Sequence, residues 1–181
     1  MSVRLPARQL TLDDVAELAE QDPDHRYELQ EGNLIVTPPA DAEHNRIIFR
    51  LAMWLAANGF DEDKINLTPG VRIGDSGRSP DLVLTTSVVP GRTVWFEPAT
   101  VLLAVEVVSP GSKQADRLIK PREYAAVGIP NFWRVERDGT PTVHMFGLGS
   151  GADDSPSYVP RCTALLDDLR NGPVPDLIAS R

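Results

Sequence analysis

"TVLLAVEVVSPGS", Thr100 to Ser112, is the stretch on which the reading of this chain turns. From Val101 to Val108 it is almost continuously apolar, the signature of a strand covered on both faces in an α/β sheet. Glu106 interrupts it. Burying an ionised carboxylate strips its water and gives nothing back unless a partner is supplied. Side chains alternate along a strand, so Glu106 shares a face with Leu102, Ala104 and Val108. Two compensations are open: an ion pair with an arginine, Arg72 or Arg134, or coordination of a divalent cation together with a second acid. Asp81 is the candidate second acid. It precedes "LVLT" at the mouth of another strand, where sheet proteins expose functional groups, although a turn-capping aspartate is the plainer alternative.

The flanking elements follow from periodicity and punctuation. Thr11, with Asp14 three residues on and Val15 and Leu18 on one face, predicts a short helix with a capping box. "HRYELQEGNLIVTPP" predicts two short strands around Gly32, closed by Pro38 and Pro39. Asp41 caps a long helix on which Ile47, Ile48, Leu51, Trp54 and Leu55 repeat every 3.6 residues, ended by Asn58-Gly59. "INLTPGVRIG" and "SPDLVLTTS" read as successive strands joined by a Gly/Ser-rich turn. "PNFWRVERDGTPTVHMF" reads as a hairpin around Asp138-Gly139. Beyond Met145, "GLGSGADDSPS" reads as a polar loop. The order predicts a mixed central β-sheet flanked by helices, an α/β domain spanning residues 1–181, with residues 1–10 and 172–181 as its fraying ends.

Composition narrows the function classes. The chain has 181 residues, 41% hydrophobic and 24% charged, within the range of one globular domain. The single cysteine, Cys162, forms no internal disulfide, so a reducing cytoplasm is the expected compartment. "MSVRLPARQL" lacks the apolar core of a signal peptide, and no apolar run is long enough to span a bilayer, so no membrane association is expected. A net charge of −8 argues against broad adhesion to nucleic acid. The charge is uneven, however: Val101 to Arg137 carries six Lys/Arg and four acids, while the remainder of the chain sums to −10.

Asp116, Lys120 and Tyr124 recur every four residues in "SPGSKQADRLIKPREYAAVGIP" and fall in one row on a helix. Pro121 is tolerated only near a first turn, which starts the regular helix around Arg117; Gly128 and Pro130 end it. A solvated salt-bridge face is the bland reading of that row. Its beginning ten residues after Glu106 is the argument against it.

Together "RYELQEGNLIV", "SPDLVL", "AVEVVSPGS" and "DRLIKPREYAAVGIPNFWRVE" resemble the Uma family of endonucleases, in the PD-(D/E)XK superfamily with a restriction-endonuclease-like fold. The resemblance runs from about Tyr27 to Glu136. It implies that Asp81 and Glu106 are the two motif acids and that, with the Val107 carbonyl, they hold Mg²⁺, for which Mn²⁺ substitutes. The superfamily lysine belongs two residues after the second acid, where this chain has Val108; the resemblance moves it to Lys120 on the following helix, with Lys113 as a fallback from the loop. Asp116 then positions Lys120, and Tyr124 closes the row or packs beneath it. Glu28 matches a recurrent family position, with a surface ion pair as its alternative. His44, in the first turn of the long helix, is placed to approach the site or is simply a helix-start polar residue. The implied activity is metal-dependent hydrolysis of phosphodiesters in DNA, by a protein whose superfamily members that cut both strands are often homodimers. The rival reading keeps the fold as a non-catalytic nucleic-acid-binding or regulatory module. A small-molecule phosphate esterase ranks third, because no Gly-rich phosphate loop is present. The hydrolase reading carries its own test: Asp81 and Glu106 must converge, without an arginine filling the space between them.

Overall fold

The structure is a computed structural model that describes residues 8–171. Residues 1–7 and 172–181, most of the two ends expected to fray, lie outside the described residues. Leu10 is already part of a core cluster with Leu12, Val15 and Leu29.

Helix α1 (Leu12–Gln21) starts at a reciprocal box: the Thr11 side chain accepts from the Asp14 N–H, and the Asp14 carboxylate accepts from the Thr11 N–H. Strands β1 (Arg26–Gln30) and β2 (Asn33–Thr37) form the expected hairpin. Its two turn residues, Glu31 and Gly32, both have positive φ (50° and 78°), the primed geometry that matches strand twist. Helix α2 (Ala42–Ala57) is capped by Asp41, whose carboxylate accepts the His44 N–H at 2.9 Å. It ends at Asn58, with Gly59 at φ 87°.

The middle of the chain is cut finer than expected. "INLTPGVRIG" holds two strands, β3 (Ile65–Leu67) and β4 (Gly70–Ile73), which join different sheets. The Gly/Ser-rich segment after them is a tight hairpin whose second arm is β5 (Ser76–Arg78), paired with β4. Then come β6 (Leu82–Thr85), β7 (Trp95–Phe96) and β8 (Val101–Val107), the strand containing Glu106. Helical backbone begins at Lys113, ahead of the expected Arg117. It widens into a π turn at Ala115–Ile119, where the Lys120 N–H donates to the Ala115 carbonyl five residues back, and continues as α3 (Lys120–Ala126). Pro121 is the second residue of α3, directly after the π turn, and lies inside the helical stretch and not in its first turn.

Strand β9 (Asn131–Glu136) and strand β10 (Thr142–Ser150) form the second predicted hairpin. The polar "GLGSGADDSPS" is not a loop throughout: it completes β10 and begins a further strand, β11 (Pro156–Leu165), paired along β10 from Thr142↔Leu165 to Ser150↔Pro156. Strand β11 is an edge strand with mostly exposed side chains, and a register shift at Met145/Phe146 breaks the pairing phase. Backbone hydrogen bonding holds it there, and that leaves little hydrophobic alternation to read.

The strands divide into a six-stranded sheet, β11-β10-β9-β8-β6-β3, and a five-stranded one, β2-β1-β5-β4-β7. Each mixes orientations: β8–β9 and β4–β7 are the parallel pairs. Helices cover both faces of the larger sheet. On one, Ile47, Leu51, Trp54 and Leu55 of α2 pack on Leu103, Val105, Val107 and Trp133. On the other, Tyr124 of α3 packs with Ala104 and Phe132. Helix α1 backs the smaller sheet through Val15, Leu29 and Trp95. The result is the mixed α/β fold expected, with Glu106 on the α3 face of the central sheet. Among the described residues no helix is long and apolar enough to cross a membrane.

Candidate active site

Asp81 sits at a bend immediately before β6. Its N–H donates to the Val105 carbonyl and its carbonyl accepts from Thr68, so its backbone is held between β3 and β8. One register step beyond the Leu82–Val105 pair, it lies across from Glu106, and side chains directly opposite share a face. Asp81 Oδ2 accepts the Val107 N–H at 2.7 Å, which pins its carboxylate beside Glu106. Both acids are buried, 3% and 2% exposed, and both line one cavity of about 500 Å³.

Neither arginine proposed for Glu106 is there: Arg72 pairs with Glu97 and Arg134 with Glu136. Glu106 Oε2 receives a bond from Lys120 Nζ at 3.0 Å, and Oε1 one from the Tyr124 hydroxyl at 2.6 Å. The row Asp116-Lys120-Tyr124 is therefore a buried face turned onto β8, not a solvated one. Lys120 Nζ is surrounded by three carboxylates, Glu106 at 3.0 Å and Glu28 and Asp116 at 3.2 Å each. Ser112, in the loop after β8, donates to Asp116. Lys113, by contrast, faces away, bonding Asp138 at 3.0 Å on the surface, and has no part in the site.

The smaller sheet supplies the remaining wall. Alternation along β1 sends Arg26 and Glu28 to the same side. Glu28 is buried and multiply bonded, which corrects its reading as a surface ion pair. Its Oε1 accepts the Ser79 N–H at 3.0 Å, and its Oε2 accepts from Arg78 at 3.1 Å. Arg78, 1% exposed, also grips Glu123 of α3 with two bonds at 2.7 and 2.8 Å, tying β5 to α3. Arg26 Nη1 lies 2.5 Å from Asp81 Oδ1. His44, at the start of α2, is buried, with Nε2 3.0 Å from the same oxygen but without an aligned hydrogen bond. It is more than a helix-start polar residue.

The electrostatics sort the acids. Burial alone would raise Asp81, but the His44 ring and the Arg26 charge hold it below the usual aspartate value. Burial would likewise raise Glu28, and Lys120, the Ser79 amide and Arg78 bring it below the usual range. Glu106 goes the other way. Its burial outweighs the pull of Lys120, and the nearby Asp116, Asp81 and Glu28 push it further, well above an ordinary glutamate. Asp116 is raised for the same reason, burial, despite Lys120 and Ser112. Burial would lower Lys120, but the three surrounding carboxylates raise it, so it stays an ammonium. Burial and the charge of Glu106 raise Tyr124 well above its ordinary value, which keeps it a phenol donor.

Four buried acids (Glu28, Asp81, Glu106, Asp116), with the part-exposed Glu123 behind Arg78, thus share three bases (Arg26, Arg78, Lys120), and Glu106 and Asp116 are the two whose carboxyls this crowding raises. Sequence reasoning brought Asp81, Glu106, Lys120, Asp116, Tyr124, Glu28 and His44 to this cavity. It missed Arg26 and Arg78. Arg26 stands next to the motif tyrosine, two residues before Glu28, and the period-2 alternation of β1 was the signal that puts it on the same face.

Fold and site describe a restriction-endonuclease-like α/β protein with a carboxylate–lysine centre. The fold is similar to that of a solved protein from Anabaena variabilis described as "a putative nuclease belonging to DUF820". The two share 18% identity at a TM-score of 0.64, over 88% of this chain and 97% of that one. No curated protein matches. The model of the Uma2 family, described as "Putative restriction endonuclease", matches residues 12–168, and the chain belongs to that family.

Proposed function

We propose that this protein is a metal-dependent endonuclease hydrolysing phosphodiester bonds in DNA, with Asp81, Glu106 and the Val107 carbonyl as the holders of Mg²⁺ or Mn²⁺. The observation that carries the reading is the crowding of buried acids in the cavity. Asp81 and Glu106 stand on adjacent strands with Glu28 and Asp116 beside them, four buried acids to three bases, and Asp116 Oδ1 and His44 Nε2 are buried there without an aligned partner. That donor set suits a hard divalent cation. Among the described residues no group of three or more His, Cys, Asp or Glu side chains is disposed to hold a metal ion by itself. Two carboxylates completed by water and a substrate phosphate are the usual arrangement for Mg²⁺.

When bound, such an ion polarises the phosphodiester and lowers the pKa of a coordinated water. The chain's own groups supply the rest. Lys120 Nζ offsets negative charge developing at the phosphoryl oxygens, a contribution worth a few kcal/mol in a dry site. Glu28 and Asp116 hold that ammonium in place, and Tyr124 fixes the Glu106 rotamer from the other side. The Val107 amide fixes Asp81. The displaced lysine fits this reading because Nζ reaches Glu106 from α3 instead of from Val108.

Glu106→Gln tests it. The amide keeps the shape but gives up the charge, so Mg²⁺-dependent cleavage of duplex DNA should fall to background while the circular dichroism spectrum is preserved. Undiminished cleavage rejects the assignment.

One observation favours the non-catalytic alternative: Arg26 and Lys120 already pair with the two motif acids. Under that reading the cluster is structural, and Mn²⁺ titration gives no binding isotherm.

A further inference from the structure

We infer that Arg26 and a cation compete for the same oxygen of Asp81, so that metal entry is a displacement of this guanidinium. The inference rests on the metal site proposed above and concerns a residue that site does not include.

Three bases neutralise the cavity, and they are held very differently. Arg78 makes three bonds to two carboxylates and is 1% exposed. Lys120 lies within 3.2 Å of three carboxylates, its side chain 8% exposed. Arg26 bonds one carboxylate only, through a single nitrogen, and its side chain is 24% exposed. It lines the cavity together with Thr37, its cross-strand neighbour on β2, at an edge where long side chains can swing into water with their stems still packed. Arg26 is thus the one base among the three that can leave without stranding a second buried acid.

The oxygen it covers is the one a cation needs. Asp81 Oδ2 is committed to the Val107 amide, which leaves Oδ1, where Arg26 Nη1 sits at 2.5 Å and the buried His44 Nε2 at 3.0 Å without an aligned bond. Each Glu106 oxygen also accepts a bond, from Lys120 and from Tyr124, but those donors are buried and belong to the site, whereas Arg26 is part-exposed and does not. An arginine does therefore stand on one motif acid, as the condition set by the sequence feared, but it comes from the other sheet and is singly attached. A docked guanidinium makes the binding-competent state a minority, and the apparent affinity for metal is reduced by that fraction.

The experiment measures Mn²⁺ binding, by calorimetry and by loss of the free-ion paramagnetic resonance signal, in the absence of nucleic acid. Arg26→Met keeps the apolar stem and removes the charge; it should bind Mn²⁺ more tightly on the order of ten-fold or more. Arg26→Lys, which retains a charge but not the guanidinium fork, should fall between Arg26→Met and the unaltered protein and guards against a misfolded methionine variant. Millimolar guanidinium added to Arg26→Met should weaken Mn²⁺ binding again. If the unaltered protein binds Mn²⁺, Asp81→Asn abolishes it, and Arg26→Met binds no more tightly, the displacement is wrong and the metal site stands. If neither the unaltered protein nor either Arg26 variant binds Mn²⁺, both fall.

Discussion

Three carboxylates share the Lys120 ammonium, and the cost of that sharing falls on Glu106. With its pKa raised chiefly by burial, Glu106 keeps a proton in the folded metal-free protein at pH values where the unfolded chain has released it. The sign follows from linkage: stability falls as pH rises wherever the native state binds more protons. The penalty is absent below the ordinary glutamate value and complete above the raised one, and Asp116 adds to it in the same direction. Glu28 and Asp81, being lowered, have completed their opposite contribution below that window. Urea midpoints in EDTA should therefore decline as pH rises above about 4.5, by up to about 1.4 kcal/mol per pH unit for one proton. Glu106→Gln should flatten the profile; a slope unchanged in that variant would show that Glu106 titrates normally. At this scale the sequence spoke clearly, since one acid in an apolar strand marks itself. Its partners did not, because Lys120 and Tyr124 approach from a helix 14 and 18 residues away, a closeness that only the packing of α3 on β8 creates.

Among the elements, the capped helices and the two tight hairpins were readable because each is encoded locally: Thr11 with Asp14, Asp41 with His44, Gly32, and Asp138-Gly139. Strand β5 was not, since three residues, Ser76–Arg78, offer no periodicity and are defined by pairing with β4 and β1. It matters nonetheless, because it delivers Arg78 between Glu28 and Glu123. Its centre, Gly77, is fixed by what lies above it: an added Cβ would come within 2.4 Å of the Trp95 ring and 2.7 Å of Leu12 Cδ2. Trp95 is itself tied to the Leu12 carbonyl at 2.9 Å and cannot yield freely. Gly77→Ala should cost about 1–3 kcal/mol through overpacking and reduce cleavage without touching a carboxylate. Trp95→Leu introduced into Gly77→Ala should recover part of that loss in a denaturation series, since the two positions share one space. Strictly additive effects would place the strain elsewhere.

Over the whole molecule, the cavity lies at the seam between the two sheets. Asp81 and Glu106 belong to the larger sheet, Arg26, Glu28 and Arg78 to the smaller, and Lys120 and Tyr124 to the helix bridging β8 and β9. That division was not legible in advance. "INLTPGVRIG" reads as one strand, and nothing local says that Leu67 and Gly70 part company into different sheets. A ligand at such a seam should stabilise both sheets together. Saturating Mn²⁺ should raise the melting temperature in a single transition, by the equivalent of about 2.7 kcal/mol at one hundred times its dissociation constant. Asp81→Asn should abolish the rise, and a rise confined to one of two separate transitions would contradict a shared site.

The lysine carried on α3 instead of two places along β8 has a consequence for how such proteins are recognised. On the function proposed above, what the chemistry demands is a positive charge at an address in space, and several routes of the backbone lead there. Val108 can stay greasy because the ammonium is delivered by another road. A pattern written as consecutive letters will overlook any chain that uses this detour, whereas a comparison of shapes will not.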